Sequence, residues 1–146
     1  FMGKAGAYVT GIEMNEKAVC EARENCRING IDTCRFFKKN VKDLNSSFFK
    51  KPYATVLLNP PRSGCPKNII NGIASGYSKN IVYVSCNPST LARDLRLLID
   101  GGYDIEKIQP FDLFPQTWHV ETVVVLRRKG LLRRRAMPVQ PVLPSL

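Results

Sequence analysis

Apolar and polar positions alternate along the chain in two rhythms, and the switches between them mark its elements. Ala7-Tyr8-Val9-Thr10-Gly11-Ile12-Glu13 is a short β-rich run that ends in an acid. From Glu16 to about Asn29 the rhythm becomes helical, with Val19, Ala22 and Cys26 on one face, and Asn29-Gly30 supplies a helix stop. Cys34-Arg35-Phe36-Phe37 reads as a strand ending near Asn40. Tyr53 to Leu58 reads as a buried strand, cut off by Asn59-Pro60-Pro61. A short helix over Asn68–Tyr77 and a β run over Ile81–Ser85 follow. Asn87-Pro88 has the form of an N-cap with proline at the first helical position. The helix it opens carries Leu91, Leu95 and Leu98 on one stripe and stops at Gly101-Gly102. Tyr103–Pro110 and His119–Arg127 read as two final strands. Beyond Gly130 the chain turns basic and then proline-rich, which predicts a disordered tail over 130–146 after one domain over 1–129.

Strands alternating with helices predict an α/β fold whose mainly parallel sheet is covered on both faces. In such sheets ligands sit outside the carboxyl ends of the strands. Glu13, Asn40, Asn59 and Cys86 all fall at predicted strand ends, so they are expected to line one crevice.

Charge and cysteines narrow the setting. The chain carries a formal charge of +10, and its last twenty residues hold +6 of it with no acid, leaving +4 for the other 126. Such a balance suits a polyanionic partner such as RNA, and equally a solvated tail that aids solubility. Five cysteines at irregular spacing argue against a disulfide framework, and no CxxC pair marks a zinc or iron–sulfur site, so no metal is expected. Cys20 and Cys26, about 240° apart around one helix, cannot chelate one ion. Apolar runs such as Val123–Leu126 are far too short to span a bilayer. With no charged-then-apolar leader, the expected protein is a cytoplasmic monomer that does not engage a membrane.

Three segments carry candidate chemistry. An acid closing a strand of a nucleotide-binding sheet can accept hydrogen bonds from both ribose hydroxyls, and Glu13 is so placed; a solvated strand-end acid looks the same. Asn59-Pro60-Pro61-Arg62-Ser63-Gly64 is a stiff loop able to hold the Asn59 side chain toward a ligand, or simply a strand-terminating turn. Val84-Ser85-Cys86-Asn87-Pro88 puts a thiol between a buried strand and a helix N-terminus, where the dipole and free N–H groups favour negative charge. A strand-end cysteine is usually packing, but here a nucleophile is a workable reading.

With these motifs in view, the chain resembles the C-terminal methyltransferase domain of the bacterial tRNA and 23S rRNA uracil-5-methyltransferases over about Ala7–Arg128. The resemblance rests on Gly11-Ile12-Glu13, on Asn59–Gly64, on Tyr83–Leu95 with its Ser-Cys-Asn-Pro core, and on Asp112–Glu121 with its Phe-Pro-x-Thr-x-His-x-Glu pattern. It implies a Rossmann-like fold that uses S-adenosylmethionine (SAM), with RNA as the partner. It further implies Cys86 as the nucleophile that attacks carbon 6 of uracil and Glu121 as the base that later removes the carbon 5 proton. Glu13 and Asn40 correspond to positions contacting the cofactor's ribose and adenine, while His119 is structural or orienting. Two positions depart from the family pattern: Asn59 stands where Asp is usual, and Gln116 where His is frequent.

The family's first strand and Gly-rich loop have no counterpart before Ala7, nor do its substrate-binding glutamine and RNA-binding β-barrel. The isolated chain is therefore expected to bind SAM weakly and turn over poorly. Two rivals differ in class. Asn-Pro-Pro after a strand also marks enzymes that methylate amino or amide nitrogens, although these place an aromatic residue where Arg62 stands. A non-catalytic remnant that binds RNA through its basic surface is the other.

Overall fold

A computed structural model describes residues 2–113, 115–117 and 119–130. The predicted tail over 130–146 lies outside the described residues from 131 onward. Two compact units emerge: the first runs to Asp43 and the second begins at Leu44.

In the first unit, β1 (Val9–Glu13) and β2 (Cys34–Lys38) pair in parallel, joined by helix α1 (Glu16–Ile28). Asn15 caps α1 by accepting the Ala18 N–H, and the chain leaves the helix through Gly30 at φ +63°, a conformation that suits glycine. Gly11 matters for packing, because a Cβ there would run into the Phe36 ring on the neighbouring strand.

The second unit contains β3 (Thr55–Leu58), α3 (Lys67–Ser75), β4 (Asn80–Ser85), α4 (Pro88–Asp100), β5 (Tyr103–Phe111) and β6 (Glu121–Arg128), preceded by a single helical turn, α2 (Ser46–Phe49). Its sheet has the order β3-β4-β6-β5. β3 and β4 are parallel, whereas β6 runs antiparallel to both β4 and β5. The α/β class stands, but the mainly parallel expectation needs this correction: only residues 112–120 join β5 to β6, with no helix among those described, and the pair closes as an antiparallel ribbon. β6 also begins at Glu121 rather than His119. α2 and a 3₁₀ turn over Val41–Asp43 were not foreseen, being too short to show a period.

Ile81, Tyr83 and Ser85 of β4 are buried while Val82 and Val84 are only partly so, the period-two signature of a strand with one well-covered face. On that face Tyr83, Val124 and Leu126 join Ile69, Ile70 and Ile73 of α3 and Leu91, Leu95 and Leu98 of α4 in the core. Arg128 locks the far end of this core. Its guanidinium donates to the carbonyls of Ile73, Ala74, Gly76 and Ser78 around the end of α3, and lies 4.4 Å from the centre of the Tyr103 ring. Among the described residues no helix is long and apolar enough to cross a membrane.

Candidate active site at the strand ends

The nucleophile candidate sits on a turn that the sequence builds with two polar side chains, Ser85 and Asn87. The Asn87 N–H donates to Ser85 Oγ at 3.1 Å, and the Ser85 hydroxyl donates to the Asn87 carbonyl at the same distance. Asn87 Oδ1 accepts the Ser89 N–H at 3.0 Å, so the helix starts immediately after Cys86 and Pro88 needs no donor. Cys86 itself is half-buried.

Register brings the second catalytic candidate alongside. The last pair of the β4–β6 ladder is Ser85 opposite Thr122. Cys86 follows the first of these and Glu121 precedes the second, so both occupy the next step at the same end of the ladder. Glu121 is half-buried and paired in register with Phe111 of β5.

The Asn59–Gly64 loop leaves β3 at this end and is fastened to α4 rather than to its own strand. Asn87 Nδ2 and Thr90 Oγ1 both donate to the Arg62 carbonyl at 3.1 Å. Arg93 Nη2 donates to the Ser63 carbonyl at 3.1 Å. The Arg62 guanidinium in turn donates to His119 Nδ1 at 2.7 Å. His119 Nε2 lies 3.5 Å from the same guanidinium nitrogen. One arginine thus spans from the β3 loop to the segment leading into Glu121.

Beneath the loop lies a carboxylate that sequence reasoning missed. Asp94 is fully buried; its Oδ2 accepts the Cys65 N–H at 2.7 Å and the Tyr83 hydroxyl at 2.6 Å, and its Oδ1 accepts Arg93 Nε at 2.9 Å. The available signal was its place among Leu91, Leu95 and Leu98, an acid on an apolar stripe. Burial, reinforced by the Asp94 charge, pushes the Cys65 thiol up to about 12, with Arg93 opposing. Cys65 is therefore a packing thiol. Tyr83 is also raised, by burial first and then by its hydrogen bond to Asp94.

The remaining candidates belong to the first unit. Glu13 closes β1, is exposed, and accepts the Asn15 N–H through Oε1 at 2.7 Å. The Lys39 N–H donates to the Glu13 carbonyl at 3.0 Å, which brings Asn40, the next residue, to the same end of the parallel pair. Asn40 Oδ1 accepts the Lys42 N–H at 3.0 Å, so its amide NH₂ is the part that can donate outward. A cavity of about 370 Å³ in this unit is lined by residues including Arg23, Cys26, Cys34 and Phe36, and by none of the candidates.

A strand-end thiol, a carboxylate at the adjoining register step and a stiff proline loop thus meet at one end of the β3-β4-β6-β5 sheet. The family model described as tRNA (uracil-5-)-methyltransferase matches residues 7–129, and the chain belongs to that family. Among its relatives, an uncharacterised RNA methyltransferase of Caldanaerobacter subterraneus subsp. tengcongensis is 42% identical over 130 residues, which cover 88% of this chain and 29% of that protein. One from Gloeobacter violaceus is 44% identical, covering 87% of this chain and 27% of the relative. The chain thus spans less than a third of the length of these relatives. Among solved structures, the tRNA (uracil-54, C5)-methyltransferase of Pyrococcus abyssi, in complex with S-adenosyl-L-homocysteine, matches with a TM-score of 0.76 and 37% identity over 86% of this chain and 30% of that one. An rRNA methylase from Streptococcus thermophilus shares the fold at 11% identity, with a TM-score of 0.63 over 82% of this chain and 72% of that one.

Proposed function

We propose that the chain is the catalytic part of an enzyme that methylates carbon 5 of a uridine in tRNA or 23S rRNA. The observation that carries this is the placement of Cys86 and Glu121 one step beyond the same β4–β6 pair.

Carbon 5 of uracil is too weak a nucleophile to take a methyl group unaided. Addition of the Cys86 thiolate to carbon 6 forms an S–C6 bond and pushes the ring electrons onto carbon 5 and the O4 oxygen, making an enolate. SAM, when bound, would supply the methyl group that carbon 5 takes, its sulfonium–methyl bond breaking to leave S-adenosylhomocysteine. Glu121 removes the carbon 5 proton; the C5=C6 double bond re-forms, the S–C6 bond breaks, and the thiolate is released. The Arg62–His119 bond holds the segment that delivers Glu121.

The residues of the first unit fit the cofactor. A strand-end carboxylate such as Glu13 can accept from a ribose diol, and the Asn40 amide can donate to an adenine ring nitrogen. Asn59 offers a neutral amide where the family pattern has a carboxylate, so it would meet cofactor or base through hydrogen bonds alone.

Incubating the chain with SAM and RNA tritiated at uridine carbon 5 tests the reading. Release of tritium to water in step with methyl incorporation supports it. Methyl incorporation without tritium release would point to a nitrogen or oxygen acceptor and reject it.

A further inference from the structure

Among the described residues, Asp94 is the one charged side chain that is fully buried. A carboxylate is withdrawn from water at heavy cost unless its oxygens are hydrogen-bonded throughout. Both of its oxygens are so bonded, and the donors come from three places: the backbone of the loop after β3 (Cys65), the strand that leads to Cys86 (Tyr83), and α4 itself (Arg93). Asn87, Thr90 and Asp94 fall at i, i+3 and i+7 on α4, and together with Arg93 they bond the backbone of Arg62, Ser63 and Cys65. Gly64 completes the seat. A Cβ there would stand 2.5 Å from Arg93 Nη2 and 2.8 Å from Asp94 Oδ2, and its φ is +79°.

The helix that starts behind the nucleophile is therefore also the clamp for the neighbouring loop. We propose that Asp94 is a positioning residue for methyl transfer: through the Cys65 N–H and the Tyr83 hydroxyl it holds the 59–65 loop, with Asn59 and Arg62, in register with Cys86. This rests on the function proposed above only in the reaction it serves; the clamp itself stands on the bonds.

The test compares the full-length protein that contains this chain, as wild type, Asp94→Asn and Tyr83→Phe, using hydrogen exchange read by mass spectrometry and the rate of covalent adduct formation with 5-fluorouridine RNA and SAM. In Asp94→Asn, exchange across residues 62–66 rises at least tenfold while α3 and β6 are unchanged. The adduct rate at saturating RNA falls at least tenfold, with the half-saturating RNA concentration unmoved. Tyr83→Phe, which keeps the ring in the core, moves both readouts in the same direction by about threefold, and it decides the matter should Asp94→Asn fail to fold. Exchange that rises uniformly through α3, β4 and β6 overturns the proposal, because Asp94 is then only a stability residue. Loosening of 62–66 with an unchanged adduct rate overturns it too. If the wild-type full-length protein forms no adduct, the proposed function fails, and the exchange pattern still decides whether Asp94 holds the loop.

Discussion

Cys86 and Glu121 flank the terminal Ser85–Thr122 pair of the β4–β6 ladder from the two strands, so an antiparallel register sets a thiol and a carboxylate at one step. Antiparallel neighbours at one register step have Cα atoms about 4.5–5.5 Å apart, a spacing that lets two side chains address one aromatic base. Sequence separation hides this: the two residues are joined only when β6 inserts between β4 and β5.

Division of labour between the two can be read in a trapped intermediate. Glu121→Gln keeps the shape and removes the base, so the methylated Cys86–RNA adduct accumulates while turnover falls about 100-fold or more. Denaturing gels with labelled RNA check this. Loss of the adduct in Glu121→Gln would place the residue before the covalent step.

Gly64 holds a left-handed backbone against Arg93 and Asp94. Gly64→Ala should lower stability by at least about 1 kcal/mol, because an L side chain at positive φ is strained and its Cβ has nowhere to go. Urea unfolding of the two proteins measures it.

Arg128 donates to four carbonyls around the end of α3, of which Ser78 also accepts the Tyr103 hydroxyl and Ile73 the Gly76 N–H. Arg128→Leu keeps some of the packing and loses every bond, and is expected to cost about 2–3 kcal/mol in the same unfolding assay. Arg127, exposed and paired with Glu106 at 3.1 Å, serves as the control, since exposed ion pairs contribute about 0–1 kcal/mol.

Alkaline pH should unfold the second unit through its buried acids. The Cys65 thiol titrates in the fold at about 12 against an ordinary 9.0, and Tyr83 and Tyr103 are shifted upward too, each by burial first. The folded state therefore binds more protons than the unfolded chain above pH 9. The Cys65 contribution is fully present below that value and is lost as pH climbs toward 12. Urea midpoints should fall steadily from pH 9 upward, and the fall should be shallower in Cys65→Ala.

Elements with strong local signals were legible from residues alone. Asn87-Pro88 gave the start of α4, the 91/95/98 stripe its buried face, and Asn59-Pro60-Pro61 the end of β3. Strand direction was not legible, because a run such as Val123-Val124-Val125-Leu126 is equally apolar in a parallel or an antiparallel neighbourhood. The candidate residues at strand ends came from patterning, and the role of Glu121 came only from family resemblance. Asp94 escaped because hydrophobic periodicity records where a helix is buried and says nothing of which carboxylate the core can satisfy. Its three kinds of donor, a loop amide, a tyrosine and a neighbouring arginine, meet only in the folded chain.

The central claim is that Cys86 attacks carbon 6 of a uridine, and RNA carrying 5-fluorouridine addresses it directly, because fluorine at carbon 5 blocks the proton removal that would free the enzyme. Mixed with SAM, the full-length protein that contains this chain is expected to form a denaturation-stable protein–RNA adduct whose cross-linked peptide contains Cys86, and its Cys86→Ala variant is expected to form none. An adduct that persists in Cys86→Ala, or maps to another residue, would contradict the account.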